Sequence, residues 1–428
     1  RIYGLLARLQ WQGNVAIKRL AGEYNNIHWR NGSVSLQFDH NEINILKAEG
    51  EINEFLWRLN GKITGNRKYW RNPALALHVK LTGKEPVNGK KYNLPVDLRT
   101  GRQATANVSV KGFLLSPRVK ADLKVENLII SGQEITDSDI LLSYFNERVI
   151  INKVKFNIFG GQFTGKGELY NFQNLNYSLS ADFFGIDLAN FLKAGQRWAN
   201  LTNLKYNDWH GKLQGKVLVR KIEGEPVQSW FTLRGDEVGY KNVIKLSLLE
   251  SAGSFIDGDW NLEYLQGFIN EGVFRGSGRF DDQNFEVSLS VDHLDLKDIE
   301  RGWLAYANLP ANTSNIAGKV YLKSRVEGCW SNWHGTGNFY LEDGFIKDNK
   351  IQELTGSFHI TKEKFTLEST KLVYENSTYN LRGHCGLMTK DLACYIFSPN
   401  MSIDSLLKLV QPRRDLFLSG IGNVFIKI

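Results

Sequence analysis

The sequence predicts a mainly β fold: an elongated, twisted antiparallel β-sheet curled into a trough with an apolar inner face, built from repeats of about 105 residues with few short helices. Three observations carry this prediction. The composition favours strands, several segments alternate strictly between apolar and polar residues, and a glycine-led phrase recurs along the chain.

Phe, Tyr, Trp, Val, Ile, Asn and Gly are abundant whereas Met is sparse, as short strands joined by tight turns require. With 8 Pro among 428 residues and no Pro/Gly/Ser-rich or charge-rich run, nothing reads as a linker, so one continuous architecture is expected. The net charge of +8 comes from Lys and Arg interleaved with acids along the whole chain, the pattern of a solvated face. No nucleic-acid partner is expected.

The repeat is led by Gly215-Lys216-Val217-Leu218-Val219-Arg220, Gly318-Lys319-Val320-Tyr321-Leu322-Lys323 and Gly422-Asn423-Val424-Phe425-Ile426-Lys427. Ile222-Glu223-Gly224 then answers Val326-Glu327-Gly328, and Gly253-Ser254-Phe255 answers Gly356-Ser357-Phe358. Gly161, Gly165 and Gly167 before Ile186-Asp187-Leu188 match Gly272, Gly276 and Gly278 before Leu294-Asp295-Leu296. A third copy degrades to Gly383 and Gly386 before Ile403-Asp404-Ser405-Leu406. The chain accordingly divides into a diverged β region over 1–100, repeats over 101–208, 209–314 and 315–418, and the start of a further unit over 419–428. Arg1 is not a natural start and the last phrase is unfinished, so the chain is expected to be a fragment of a longer one.

Successive side chains on a strand point to opposite faces, so alternation marks a sheet with one face out of water. Val119, Leu123 and Val125 alternate with polar residues. The same holds around Leu75, Leu77, Val79 and Leu81, around Tyr177, Leu179 and Phe183, and along Phe285, Val287, Leu289 and Val291. With Val320, Leu322, Phe365, Leu367, Val424 and Ile426 these form the expected apolar inner face. A second sheet, the sheet's own curl or a ligand would cover it. Helical patterns are short: Leu188 to Leu201 after Asp187 as an N-cap, and Ser402 to Leu409 after a strand ending near Phe397, both read as lids or plugs.

The glycine-spaced strand Phe159-Gly160-Gly161-Gln162-Phe163-Thr164-Gly165-Lys166-Gly167, the alternating strand after it and the terminal Asp-Leu before a short helix resemble the AsmA-like family. So does Val110-Lys111-Gly112-Phe113-Leu114-Leu115-Ser116-Pro117. The likeness is to the repetitive middle region of the family's translocation-and-assembly-module (TamB-type) branch and covers most of 100–428. It implies a curled β trough in the periplasm of a diderm bacterium, anchored in the inner membrane by a segment outside this chain, related to bridge-like lipid-transfer proteins. It also implies an outer-membrane partner of the Omp85 class.

Other motifs are set aside. Gly160-x4-Gly165-Lys166-Gly167 lacks the Ser/Thr of a phosphate loop and leads into a strand, so its glycines read as sites of bulges or close packing. Cys329, Cys385 and Cys394 show no metal-ligand spacing; Cys385 and Cys394 either pair across a hairpin or stay free. Trp209-His210-Gly211 and Trp333-His334-Gly335 read as aromatic anchors with glycine turns. Asp281-Asp282 reads as a turn, and Asp187, Asp295 and Asp404 as caps. Neither catalytic residues nor a cofactor nor a metal is expected.

The function expected from these readings is a conduit moving phospholipids between inner and outer membranes, acyl chains completing the packing of the apolar face. The alternative is a scaffold or chaperone assisting assembly of outer-membrane proteins or autotransporters, its strand edges pairing with a client by β-augmentation.

Overall fold

The computed structural model describes all residues except 1, 4–9, 25–26, 66–70, 85–97, 101–103, 131, 173, 199–205, 242, 308–315, 347–348, 376, 388–390, 403–420 and 428. The strands are β1 (Ile2–Tyr3), β2 (Gln10–Tyr24), β3 (Ile27–Asp39), β4 (Glu42–Ile52), β5 (Phe55–Thr64), β6 (Ala74–Gly83), β7 (Leu98–Thr100), β8 (Ala104–Phe113), β9 (Ser116–Ile130), β10 (Gln133–Phe145), β11 (Arg148–Ile158), β12 (Gly161–Tyr170) and β13 (Asn176–Asp187). After helix α1 (Leu188–Trp198) come β14 (Trp209–Lys221), β15 (Gln228–Tyr240), β16 (Ile244–Ile256), β17 (Asp259–Ile269), β18 (Gly272–Phe280) and β19 (Asn284–Asp295). Helix α2 (Leu296–Ala307) precedes β20 (Ile316–Cys329), β21 (Asn332–Ile346), β22 (Asn349–Thr361), β23 (Lys364–Tyr374), β24 (Ser377–Gly386), β25 (Leu392–Ser402) and β26 (Ile421–Lys427).

The chain forms two compact units: Arg1–Ala199 with Lys216–Val227, and Asn200–Gly215 with Gln228–Ile428. In the first, strands pair antiparallel in chain order from β1 to β13, except that β6 pairs with β8 and β7 extends the ladder beside the far end of β9. In the second, each strand from β15 to β26 pairs antiparallel with the next.

The trough is a correction. Each unit is an open ladder, neither closed nor curled: among the described residues no pairing joins β1 to β13 or β15 to β26. Apolar-face residues that a curl would have enclosed stay open to water, with Val15 at 42%, Ile17 at 45% and Leu289 at 37% exposure. The sheet instead shields this face with its own rings. Phe274 lies over Gly267 of the neighbouring strand, Phe358 over Gly337, and Phe339 over Gly356, where an added Cβ would come 2.6 Å from the ring's Cζ. A ring laid along the sheet covers the bare backbone beside it, so much of the apolar surface is screened without a second layer.

A bulge recurs in both units. Ile45 and Ala48 face Gly61 and Leu59, so Leu46-Lys47 oppose a single residue. Asn152-Lys153, Glu263-Tyr264 and Glu368-Ser369 do the same opposite Lys166, Ser277 and Arg382. The glycines flagged in the sequence sit at these sites: Gly165 and Gly167, then Gly276 and Gly278, bracket the opposing residue. Small residues there leave room for the locally bent and over-twisted partner strand. The frame also appears within 1–100, where sequence similarity is weakest.

Asp187 and Asp295 cap the helices: the Asn190 N–H donates to Asp187 Oδ1 at 3.0 Å and the Lys297 N–H to Asp295 Oδ1 at 2.9 Å. Helix α2 packs on β16, β19 and β20, and Lys241 Nζ donates to the Ala305 carbonyl at 2.8 Å, satisfying a late-helix acceptor. Leu296 of α2 joins a core of Leu341, Ile351, Leu372, Tyr374, Tyr379 and Met401 on the apolar side of β21–β25. The second expected helix falls differently: Ser402 ends β25, and 403–409 and Asp404 lie outside the described residues.

Candidate functional site

Within each unit, several of the residues expected to line a lipid groove stand opposite apolar or small residues of the neighbouring strands. Cross-strand partners point the same way, and Val287 faces Val326 while Val291 faces Phe274 and Leu322. Phe365 and Leu367 stand opposite Ile360 and Phe358, and Val320 opposite Leu341. In the first unit Val119, Leu123 and Val125 face Val110, Ala106 and Ala104, and Tyr177, Leu179 and Phe183 face Leu169, Gly167 and Phe163. Val424 and Ile426 belong to β26, paired with β25, and their side chains lie outside what the structure describes. What this face lacks is a trench. It is an open, half-shielded surface, and that removes the geometry a TamB-type phospholipid conduit needs: an acyl chain laid on it keeps one side in water, at roughly 0.8 kcal/mol per methylene left uncovered.

The concave surface lies on the opposite, hydrophilic face of the second unit. A depression of about 710 Å³ spans β17 to β23. Two rows of side chains floor it: Arg275, Ser290, Lys323, Asn338 and Ser357, and beside them Ser277, Ser288, Arg325 and Thr336. The apolar neighbours Val287, Val291, Val326 and Leu322 do not line it, although Leu289 and Phe358, in the row between the two polar ones, do. Glu263 and Tyr264 stand at one end and Glu368 at the other, all three from bulges. A second depression of about 540 Å³ continues from the same Arg275, Ser290, Lys323 and Asn338 to Asp292, Tyr321 and Tyr340.

Charges in this surface are mostly matched. Arg325 Nη2 lies 3.0 Å from Glu286 Oε1 and 2.8 Å from Glu327 Oε2, and Arg275 Nη1 lies 3.9 Å from Asp292 Oδ2. Lys323 is exposed, and among the described residues no carboxylate lies within ion-pair distance of it. At the margin Tyr321 donates to Glu342 Oε2 at 2.7 Å. Desolvation by the surrounding strands and that bond to a carboxylate push its phenol up to about 12.

Sequence reasoning missed these polar residues as a site. Their signal was the polar half of the same alternation, which was read only as a solvated face.

The remaining candidates resolve into structure. The Gln283 and Asn284 N–H groups donate to Asp281 Oδ1 at 2.7 and 2.6 Å, the expected turn, and hold its carboxyl below the usual range. Gly165, Lys166 and Gly167 lie inside β12, away from any helix start. Cys329, Cys385 and Cys394 are free; Cys385 faces Leu392 and Cys394 faces Gly383, two register positions apart. Trp209 packs on Tyr240, but Gly211 and Gly335 lie within β14 and β21 and make no turn. Among the described residues no cluster of His, Cys, Asp or Glu has metal-binding geometry.

Fold and site together define repetitive, open antiparallel β-ladders, the second of which carries a polar, hydrogen-bonding surface depression. The chain matches no family model, no curated protein and no solved structure. Among the described residues no helix is long and apolar enough to cross a membrane.

Proposed function

We propose that the chain is a non-enzymatic β-scaffold that receives an extended segment of a partner β-protein by strand addition. The open ladder is the observation that carries this reading. Wherever such a ladder ends it presents a row of unpaired N–H and C=O groups, which a client strand completes, whereas a closed barrel has none to offer. Resemblance to AsmA-like repeats supports a setting in the periplasm of a diderm cell, anchored at the inner membrane by a segment outside this chain. The same resemblance supports a role in outer-membrane protein assembly beside an Omp85-class partner.

The test is hydrogen exchange with an unfolded outer-membrane β-protein added to the purified chain. A strand-length client segment gains amide protection, and a client carrying proline at alternate positions of that segment does not. Equal protection of both clients, or protection of neither by a folded chain, overturns the reading.

A further inference from the structure

The hydrophilic depression is of no use to strand addition, because it lies on the face of the sheet, where the ladder consumes the backbone N–H and C=O groups. Only side chains are free to bind there. Those on offer include short hydroxyls and an amide, as at Ser288, Ser290, Thr336 and Asn338, set among the cations Arg275, Lys323 and Arg325. This density of small donors and acceptors suits a ligand bearing a hydroxyl on nearly every carbon.

Charge narrows the class further. Arg275 and Arg325 are already neutralised by Asp292, Glu286 and Glu327, and Glu263 and Glu368 stand at the two ends. A densely charged polyanion such as a nucleic acid meets that ring of carboxylates and is repelled. Lys323 alone remains unpaired, at the position shared by both depressions, so the surface complements one negative charge in an otherwise neutral polar chain.

Two exposed aromatics complete it: Tyr264 at 45% in the first depression and Tyr340 at 40% in the second, each offering a flat apolar ring with a polar tip. Seven strands at about 4.8 Å spacing make the first depression roughly 30 Å long, which calls for an oligomer and not a single sugar.

The geometry points to a binding site for an acidic oligosaccharide, its carboxylate on Lys323 and its ring faces on Tyr264 and Tyr340. This goes beyond the scaffold reading and does not depend on it.

Calorimetry on the full chain tests it with a neutral xylo-oligosaccharide bearing a single uronate, the methyl ester of that uronate, and a serine-rich peptide bearing a single glutamate. The mono-uronate oligosaccharide binds saturably; the ester binds at least tenfold more weakly. Lys323→Gln and Tyr264→Ala each lose at least tenfold, Lys323→Arg retains binding, and Lys371→Gln, which breaks the pair with Glu353, changes nothing. Far-ultraviolet circular dichroism of each variant establishes that it is folded. Equal affinity for the ester overturns the role of Lys323. Tighter binding of the single-glutamate peptide makes the ligand an acidic polypeptide and overturns the saccharide, and absence of binding to all three probes overturns the site.

Discussion

Glu263 and Glu368 hold the same place in successive repeats, each the extra residue of a bulge, and they stand at opposite ends of one depression. A regular strand would send the residues around them alternately to the two faces. The bulge breaks that alternation locally, and both carboxylates thereby come to line the hydrophilic side. The repeat length is thus also the length of the depression.

Deleting Glu263 should heal the bulge without shifting register, because Leu262 and Leu265 already face Gly278 and Gly276 and one residue would remain opposite Ser277. The expected product is a folded β protein, by circular dichroism, in which Tyr264 is re-aimed and binding of the mono-uronate oligosaccharide falls at least tenfold. A deletion that leaves binding unchanged would show that the bulge does not shape the site.

The ring over glycine is testable by a double-mutant cycle at Gly267 and Phe274, since the three atoms nearest an added Cβ on Gly267 all belong to that ring. Gly267→Ala should destabilise the protein by about 1–3 kcal/mol through overpacking. Phe274→Ala should cost about 2 kcal/mol, less than a full core truncation because the ring is half-buried. In urea melts the pair should fall short of additive by about 0.5–3 kcal/mol, as the clash disappears with the ring.

Cysteine labelling separates an open apolar face from a covered one. With the three natural cysteines replaced by serine, Ser288→Cys and Leu289→Cys should react with a polar thiol reagent at rates within a few-fold of each other, since both positions are exposed. Leu341→Cys, at 5% exposure in the core, should react far more slowly. Slow labelling at Leu289 that detergent reverses would return the sheet to a lipid-filled trough.

The pH dependence has two limbs. Tyr321 is an acid whose folded pKa is raised to about 12, so the folded state holds its proton more tightly. Its contribution is present below the ordinary tyrosine value near 10 and is lost as pH rises towards 12. Tyr321→Phe should flatten that alkaline fall in Tm. Asp281 is lowered by the Asn284 and Gln283 N–H groups, so its contribution is present above the ordinary value of 3.8 and is lost as pH falls through the folded one. Asp281→Ala should lower Tm at neutral pH and remove part of the acid limb.

Much was legible in the chain itself. Alternation assigned Phe285, Val287, Leu289 and Val291 to one face because the side-chain period of a strand is a local property. Gly165, Gly167, Gly276 and Gly278 announced bulges because small residues leave room for the bent partner, and Asp187 announced a helix because the cap is made within three residues. Curvature was not legible. Alternation says which face a residue joins and nothing about whether that face turns inward, and here the apolar face stays open, shielded by rings such as Phe274 over Gly267. The site was not legible either, since Glu263 and Glu368 share one depression only through six successive strand registers, and Arg275 and Arg325 meet Asp292 and Glu286 only across paired strands. Those are long-range consequences of pairing, and no local pattern contains them.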